Sequence, residues 1–163
     1  MNIRFATLED VPTFVEMGKQ FHQSTRFRVY EYKPSRVAEQ LRSVVHIGQN
    51  EKGTHCFFVA EDSQGQAVGG LIGCVEKHFF SEQLVANIIH YDVLSERRMS
   101  GAGLRLLTAF RKWAENRGAV ELSAGVNSGV ELEKMDRFLQ RLGFQQTGGN
   151  YSLLLIRCTQ TNQ

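Results

Sequence analysis

A surplus of charge of one sign is missing from this sequence. Its 163 residues carry 19 Lys+Arg against 17 Asp+Glu, a net charge of +2. That is too little for the basic surface that grips a phosphate backbone, so no nucleic-acid partner is expected. Long apolar runs are also missing. None approaches the roughly 20 residues of a membrane-spanning helix, and Met1 to Phe5 has neither the apolar core nor the small-residue cleavage site of a secretory leader. No membrane association is expected, and the cytoplasm is the expected location. There are only two prolines and three cysteines. Cys56, Cys74 and Cys158 are odd in number, far apart and set in apolar runs, so they read as buried small hydrophobes and not as a disulfide framework. His22, His46, His55 and His78 lack ligand spacing, and no metal is expected.

What is present is ordinary: 42% hydrophobic and 22% charged residues, the profile of one globular domain. A chain of this length buries about two thirds of its unfolded surface, enough for its own core. No repeat or linker divides it, so a single domain is expected over residues 1–158, with a frayed polar tail over 159–163. The pattern predicts a strand over 2–6, then a helix introduced by Thr7 and Asp10 at capping-box spacing, with Val11, Phe14, Gly18 and Phe21 on its stripe. An Arg- and Tyr-rich connection over 23–33 leads to a second helix with Pro34 in its first turn. Strands follow over 56–60 and 67–76 around the Asp62 to Gly65 turn, then a third over 84–94. On this last strand, strict alternation places Asn87, Ile89, Tyr91 and Val93 together and Ile88, His90 and Asp92 opposite. A helix over 103–117, a strand over 119–126, a helix through Leu132 to Leu142 and a strand over 150–158 complete the order βααβββαβαβ, an α/β (α+β) domain with a mixed sheet.

The stretch from Tyr91 to Leu107 runs from a strand through a polar, glycine-containing loop into a helix. The first amides of a helix lack intrahelical partners and its dipole favours anions, while Gly101 and Gly103 let backbone approach a phosphate. Arg97, Arg98 and Arg105 supply nearby positive charge. A strand-to-helix connection without any ligand fits the glycine spacing equally well. Two better-known phosphate loops are excluded: no G-x-x-x-x-G-K-[ST] string occurs, and the third glycine of G-x-G-x-x-G is replaced by Leu106.

The six residues Arg98-Met-Ser-Gly101-Ala-Gly103 resemble the [QR]-x-x-G-x-[GA] signature of the GNAT superfamily of acetyl-coenzyme A-dependent N-acetyltransferases. Ile3 to Asp10 resembles the family's opening strand and cap, Val93 to Arg98 its V-x-P-E-x-R approach with Ser95 in place of proline, and Arg141 to Phe144 its closing K/R-L-G-F. The Gly148 to Tyr151 ending and the 101–107 helix start resemble bacterial and prophage-type members. The resemblance implies a central, mostly antiparallel mixed sheet flanked by helices and splayed between its fourth and fifth strands. It implies acetyl-CoA as donor, held by backbone around Arg98, Met99, Ser100, Gly101, Ala102, Gly103 and Leu104, with Val93 bonding the pantetheine or thioester and Asn127 touching the cofactor arm. The acceptor, a small-molecule or peptide amine, is then expected beside Arg28, Tyr30 and Tyr32, and a homodimer is an open possibility.

Direct acetyl transfer needs a neutral amine at the thioester, an oxyanion donor and protonation of the leaving thiolate. The position where many members of the family carry a tyrosine acid is Leu139, and the fourth strand holds no glutamate. Tyr91, His90 and Tyr151 are the candidate catalytic side chains, with Tyr91 better placed for the gap and a packed, structural role the ordinary reading of His90. The rival functions are a CoA-binding interaction or sensing module that has lost catalysis, and a structural protein of the same fold with no acyl cofactor.

Overall fold

In the computed structural model, which describes residues 1–155, the chain forms β1 (Asn2–Phe5), α1 (Val11–Ser24), α2 (Pro34–Gly48), β2 (His55–Glu61), β3 (Ala67–Lys77), β4 (Leu84–Val93), α3 (Ala102–Asn116), β5 (Ala119–Ala124) and α4 (Leu132–Arg141). Short 3₁₀ turns occupy Leu8–Asp10, Arg26–Val29 and Ser95–Ser100. The expected order is met through α4. The strand expected over 150–158 is not formed by residues 150–155, and its remainder, with Cys158 and the 159–163 tail, lies outside the described residues.

Two compact units result, one over Met1–Ala124 and one from Gly125 onward. The first is a five-stranded sheet in the order β1-β2-β3-β4-β5, antiparallel except for the parallel β4–β5 pair. The capping box forms on its Asp10 side. The Asp10 carboxylate accepts the Thr7 N–H at 2.7 Å and a two-pronged bond from Arg4 at 2.8 and 2.8 Å. Arg4 thereby ties β1 to the start of α1 and holds the Asp10 carboxyl below the usual carboxylate range.

Both faces of the sheet are covered. Val11, Phe14 and Met17 of α1 and Leu41 and Val45 of α2 pack with Phe57, Val59 and Ile72 in one core. Helix α3 covers the other face, where Leu106 and Phe110 are fully buried. Glycines in β3 make room for these helices: a Cβ on Gly73 would meet the Phe110 ring at 2.2 Å, and one on Gly70 the Phe14 ring at 2.4 Å.

One irregularity overturns the expected alternation along β4. Against β3, Ile72 pairs with His90 while the next residue, Gly73, pairs with Ile88, so Ile89 is an extra, bulged residue. Its side chain is 55% exposed. The bulge moves every later residue of β4 to the opposite face. Ala86, Ile88, Tyr91 and Val93 now face α3, and Asn87, His90 and Asp92 face α1 and α2.

In the second unit, the Arg141-Leu-Gly-Phe144 motif is a helix terminator. Gly143 takes φ +90°, its N–H bonds Gln140 O at 3.0 Å, and the Phe144 N–H bonds Leu139 O at 3.1 Å. This six-to-one and five-to-two pairing needs a left-handed residue, which explains the glycine.

Candidate active site

The parallel β4–β5 pairing ends at Ile88 and Ala124, whereas β4 continues to Val93. The expected splay is therefore realised as a strand that outruns its neighbour. Leu94 N–H bonds Val68 O at 2.9 Å, toward β3. In an antiparallel ladder main-chain groups alternate sides, so those of Tyr91 and Val93 point to the edge that β5 leaves open.

After Val93 the chain makes the exposed turn 95–100, passes Gly101 in a left-handed conformation (φ +81°) and enters α3. A side chain on Gly101 would meet nothing within 4 Å, but this φ is one that other residues rarely adopt. The first helical bond of α3 is Arg105 N–H to Gly101 O at 3.1 Å. Among the described residues, the Ala102 N–H reaches Ser100 Oγ at a long 3.4 Å, and no bond engages the Gly103 or Leu104 amides. Two helix-start donors are thus uncommitted among the described residues, one on exposed Leu104 and one on buried Gly103, with Ala102 also buried. Met99, 98% exposed, lies on the same turn.

Gly103 itself corrects an expectation. Its missing side chain faces inward and not toward an approaching phosphate: a Cβ there would lie 2.1 Å from the Tyr91 hydroxyl. The glycine lets α3 sit against the end of β4 and brings Tyr91 to the helix mouth. Nor are the three arginines loose positive charge. Arg97 pairs with Asp62 at 3.1 Å, Arg98 Nε approaches Val93 O at 3.5 Å, and Arg105 bonds Met1 O at 3.0 Å.

Burial perturbs the titratable groups at this end of β4. The Tyr91 phenol is pushed up to about 12, with Asp92 adding to the effect and Arg98 opposing it. The Asp92 carboxyl is pushed up to about 6 by burial, against the opposing pull of Arg98 and the Val93 amide. The His90 imidazole is pulled down by burial, and its ring meets Phe21 edge-on at 4.9 Å. Tyr91 therefore keeps its proton at neutral pH, Asp92 has largely lost its own, and His90 packs as an aromatic residue between sheet and helix.

The other candidates are dispersed. Tyr30 and Arg28 are exposed in the connection between α1 and α2, where His22 Nε2 bonds Tyr30 O at 2.8 Å. Tyr32 packs against Gly18 and donates its hydroxyl to Val15 O at 2.5 Å, so it anchors this connection to α1. In the second unit Asn127 is exposed, Tyr151 is 98% exposed and Leu139 is buried. Asp92 is the residue whose importance sequence reasoning missed. Strict alternation buried it anonymously beside Ile88, and only the bulge separates the two. A cleft of about 410 Å³ lies at the opposite end of α3, where Arg117 bonds Gly53 O and Glu51 O and stacks on Trp113. That arginine closes the loop after α2. Among the described residues, no group of three or more metal-ligating side chains occurs and no helix is long and apolar enough to cross a membrane.

The sequence profile of the acetyltransferase (GNAT) family matches residues 19–144 of this chain. Solved structures share the fold at low identity. A probable acetyltransferase superposes with a TM-score of 0.74 at 18% identity, covering 96% of this chain and 99% of its own. The tetramutant of the BH1408 protein from Bacillus halodurans reaches 0.79 at 17%, covering 95% and 100%. The aminoglycoside antibiotic 6'-N-acetyltransferase AAC(6')-IG from Acinetobacter haemolyticus reaches 0.71 at 15%, covering 97% and 100%. No curated protein sequence matches the chain.

Proposed function

As this chain belongs to the acetyltransferase (GNAT) family, we propose that it moves an acetyl group from acetyl-CoA directly to a primary amine in the cytoplasm. The observation that carries this reading is the start of α3, reached through an exposed turn beside the open edge of β4, where the amides of exposed Leu104 and buried Gly103 have no partner among the described residues. Amides at a helix start offer N–H donors and a favourable dipole to a diphosphate without a charged side chain. The Val93 carbonyl already approaches Arg98 Nε at 3.5 Å and its amide bonds the Asp92 carboxylate, so the pantetheine arm and thioester carbonyl would meet the Val93 main chain by exchanging with these contacts. Acetyl-CoA supplies the activated acyl group. Arg98, Met99, Ser100, Gly101 and Ala102 shape the turn that receives it.

The proton inventory supports one division of labour. The acceptor arrives as an ammonium and must lose a proton; Asp92, ionised above about pH 6, is suited to take it. The leaving thiolate needs a proton; Tyr91, protonated throughout the neutral range, is suited to give it. His90 is left as packing. Structural resemblance to aminoglycoside acetyltransferases makes aminoglycosides the first amines to try, alongside polyamines and peptides. Arg28 and Tyr30 are the candidates for touching the acceptor.

The test is free-thiol release from acetyl-CoA across that panel. The reading predicts turnover with at least one amine, a fall in kcat of about 10- to 100-fold for Tyr91→Phe with donor affinity retained, and loss of the acid limb near pH 6 for Asp92→Asn. The buried Leu139 at the family's acid position favours a second reading, a CoA-binding module without catalysis. Tight CoA binding with no turnover across the panel favours that reading.

A further inference from the structure

We infer that Asp62, at the end of the β2–β3 hairpin, is a positioning residue for the donor turn, acting through Arg97 to set the start of α3; the inference rests on the acetyl-donor reading above. Asp62 is itself fixed. Its Oδ1 accepts the Gln64 and Gln66 amides at 2.9 and 3.0 Å, and the turn closes through Asp62 N–H to Gln66 O at 3.0 Å with Gly65 at φ +76°. The other oxygen, Oδ2, takes the Arg97 guanidinium at 3.1 Å, and the Asp62 side chain is only 10% exposed against 47% for Arg97.

From Arg97 the connection runs on without a break. Its own N–H bonds Leu94 O at 2.8 Å, and its carbonyl accepts the Ser100 hydroxyl at 2.6 Å. Ser100 Oγ in turn faces the Ala102 N–H at 3.4 Å, the first amide of α3. One chain of bonds thus links the hairpin to the helix mouth, 35 residues apart between Asp62 and Arg97. The turn it crosses is exposed from Ser95 to Gly101 and buries nothing of its own. A backbone with so little packing opens easily, and a tether to a rigid hairpin preorganises its donors before ligand arrives.

A different role for Arg97 makes the opposite prediction. Were Arg97 a direct phosphate ligand that Asp62 merely competes for, removing the carboxylate would leave donor affinity unchanged or raise it. Calorimetric titration of the full chain with coenzyme A separates the two. The tether predicts that Asp62→Asn weakens CoA binding about fivefold, the size expected of a partly exposed ion pair. It also predicts kcat at saturating acetyl-CoA and the acceptor KM within about twofold of wild type. Asp62→Ser, which keeps a side-chain oxygen for the turn amides but cannot reach Arg97, is expected to match it. Ser100→Ala alone should weaken binding similarly, and the Asp62→Asn/Ser100→Ala pair should be no weaker than the poorer single variant, since both break one chain. Equal or tighter CoA binding by Asp62→Asn and Asp62→Ser, or full additivity with Ser100→Ala, overturns the inference while the donor reading stands. Absence of CoA binding by the wild type overturns both.

Discussion

A methyl group at position 103 has nowhere to go unless the Tyr91 phenol moves. The ideal Cβ lies 2.1 Å from the hydroxyl and 3.3 Å from the ring carbon bearing it, so Gly103→Ala should overpack this junction and cost about 1–3 kcal/mol. In a chain of this size that is a fall in melting temperature of several degrees, roughly 3–10 °C. Adding Tyr91→Phe, which deletes the nearest atom, should recover more than half of the loss. Calorimetric melting of the single and double variants checks this; equal losses in both would show that the phenol is not what the methyl meets. Asp92 makes a second prediction at this scale. Its carboxyl titrates at about 6 in the folded protein against 3.8 in the open chain. The folded state therefore holds the proton more tightly, and stability that is full below about pH 4 falls as pH rises through 6, by roughly 2–3 kcal/mol. Asp92→Asn should flatten that decline and melt higher than wild type at pH 7. Urea titrations between pH 4 and 7 measure it, and identical slopes for both proteins would remove the burial effect assigned to Asp92.

Among elements, β4 decides which chemistry faces which helix. Its two halves are in different phase because Ile89 is unmatched on β3. Deleting Ile89 would close the bulge and leave every face unchanged, because Ile88 already faces α3 and His90, Tyr91, Asp92 and Val93 would follow it in regular alternation. That deletion should keep cooperative melting, with a midpoint within about 5 °C of the parent, since it removes a half-exposed side chain and leaves Tyr91 against α3. A deletion variant that no longer melts cooperatively would contradict the register. Here the limits of sequence reading are physical. Periodicity located β4, the turn after it and α3 to within a residue or two, because the apolar spacing and Gly118 mark them. A bulge leaves no such trace: Asn-Ile-Ile-His-Tyr is equally good in either phase, and only pairing with β3 chooses. The Arg97–Asp62 and Arg4–Glu61 bonds were illegible for the same reason, as they join residues 35 and 57 apart. The Leu-Gly-Phe terminator was legible because a Schellman ending is local.

For the molecule as a whole, the turn proposed to hold the donor is legible in six residues because its backbone needs glycines at set places, Gly101 for its φ of +81° and Gly103 for the close approach of Tyr91. The acceptor end could not, since Arg28, Tyr30 and Tyr32 do different things that spacing cannot separate: Tyr32 is bonded to Val15 O, while Arg28 and Tyr30 lie exposed. The account stands on the claim that the start of α3 grips a diphosphate. Thermal melting of the full chain with 1 mM coenzyme A and with 1 mM pantetheine, which has the same thiol arm without the diphosphate, tests it most directly. If CoA binds the folded state with a dissociation constant of about 10 μM, the stabilisation is RT ln(1 + [L]/Kd), or about 2.7 kcal/mol, a rise of roughly 5–10 °C. The account predicts that rise with CoA and almost none with pantetheine; no rise with CoA, or an equal rise with both, would contradict it.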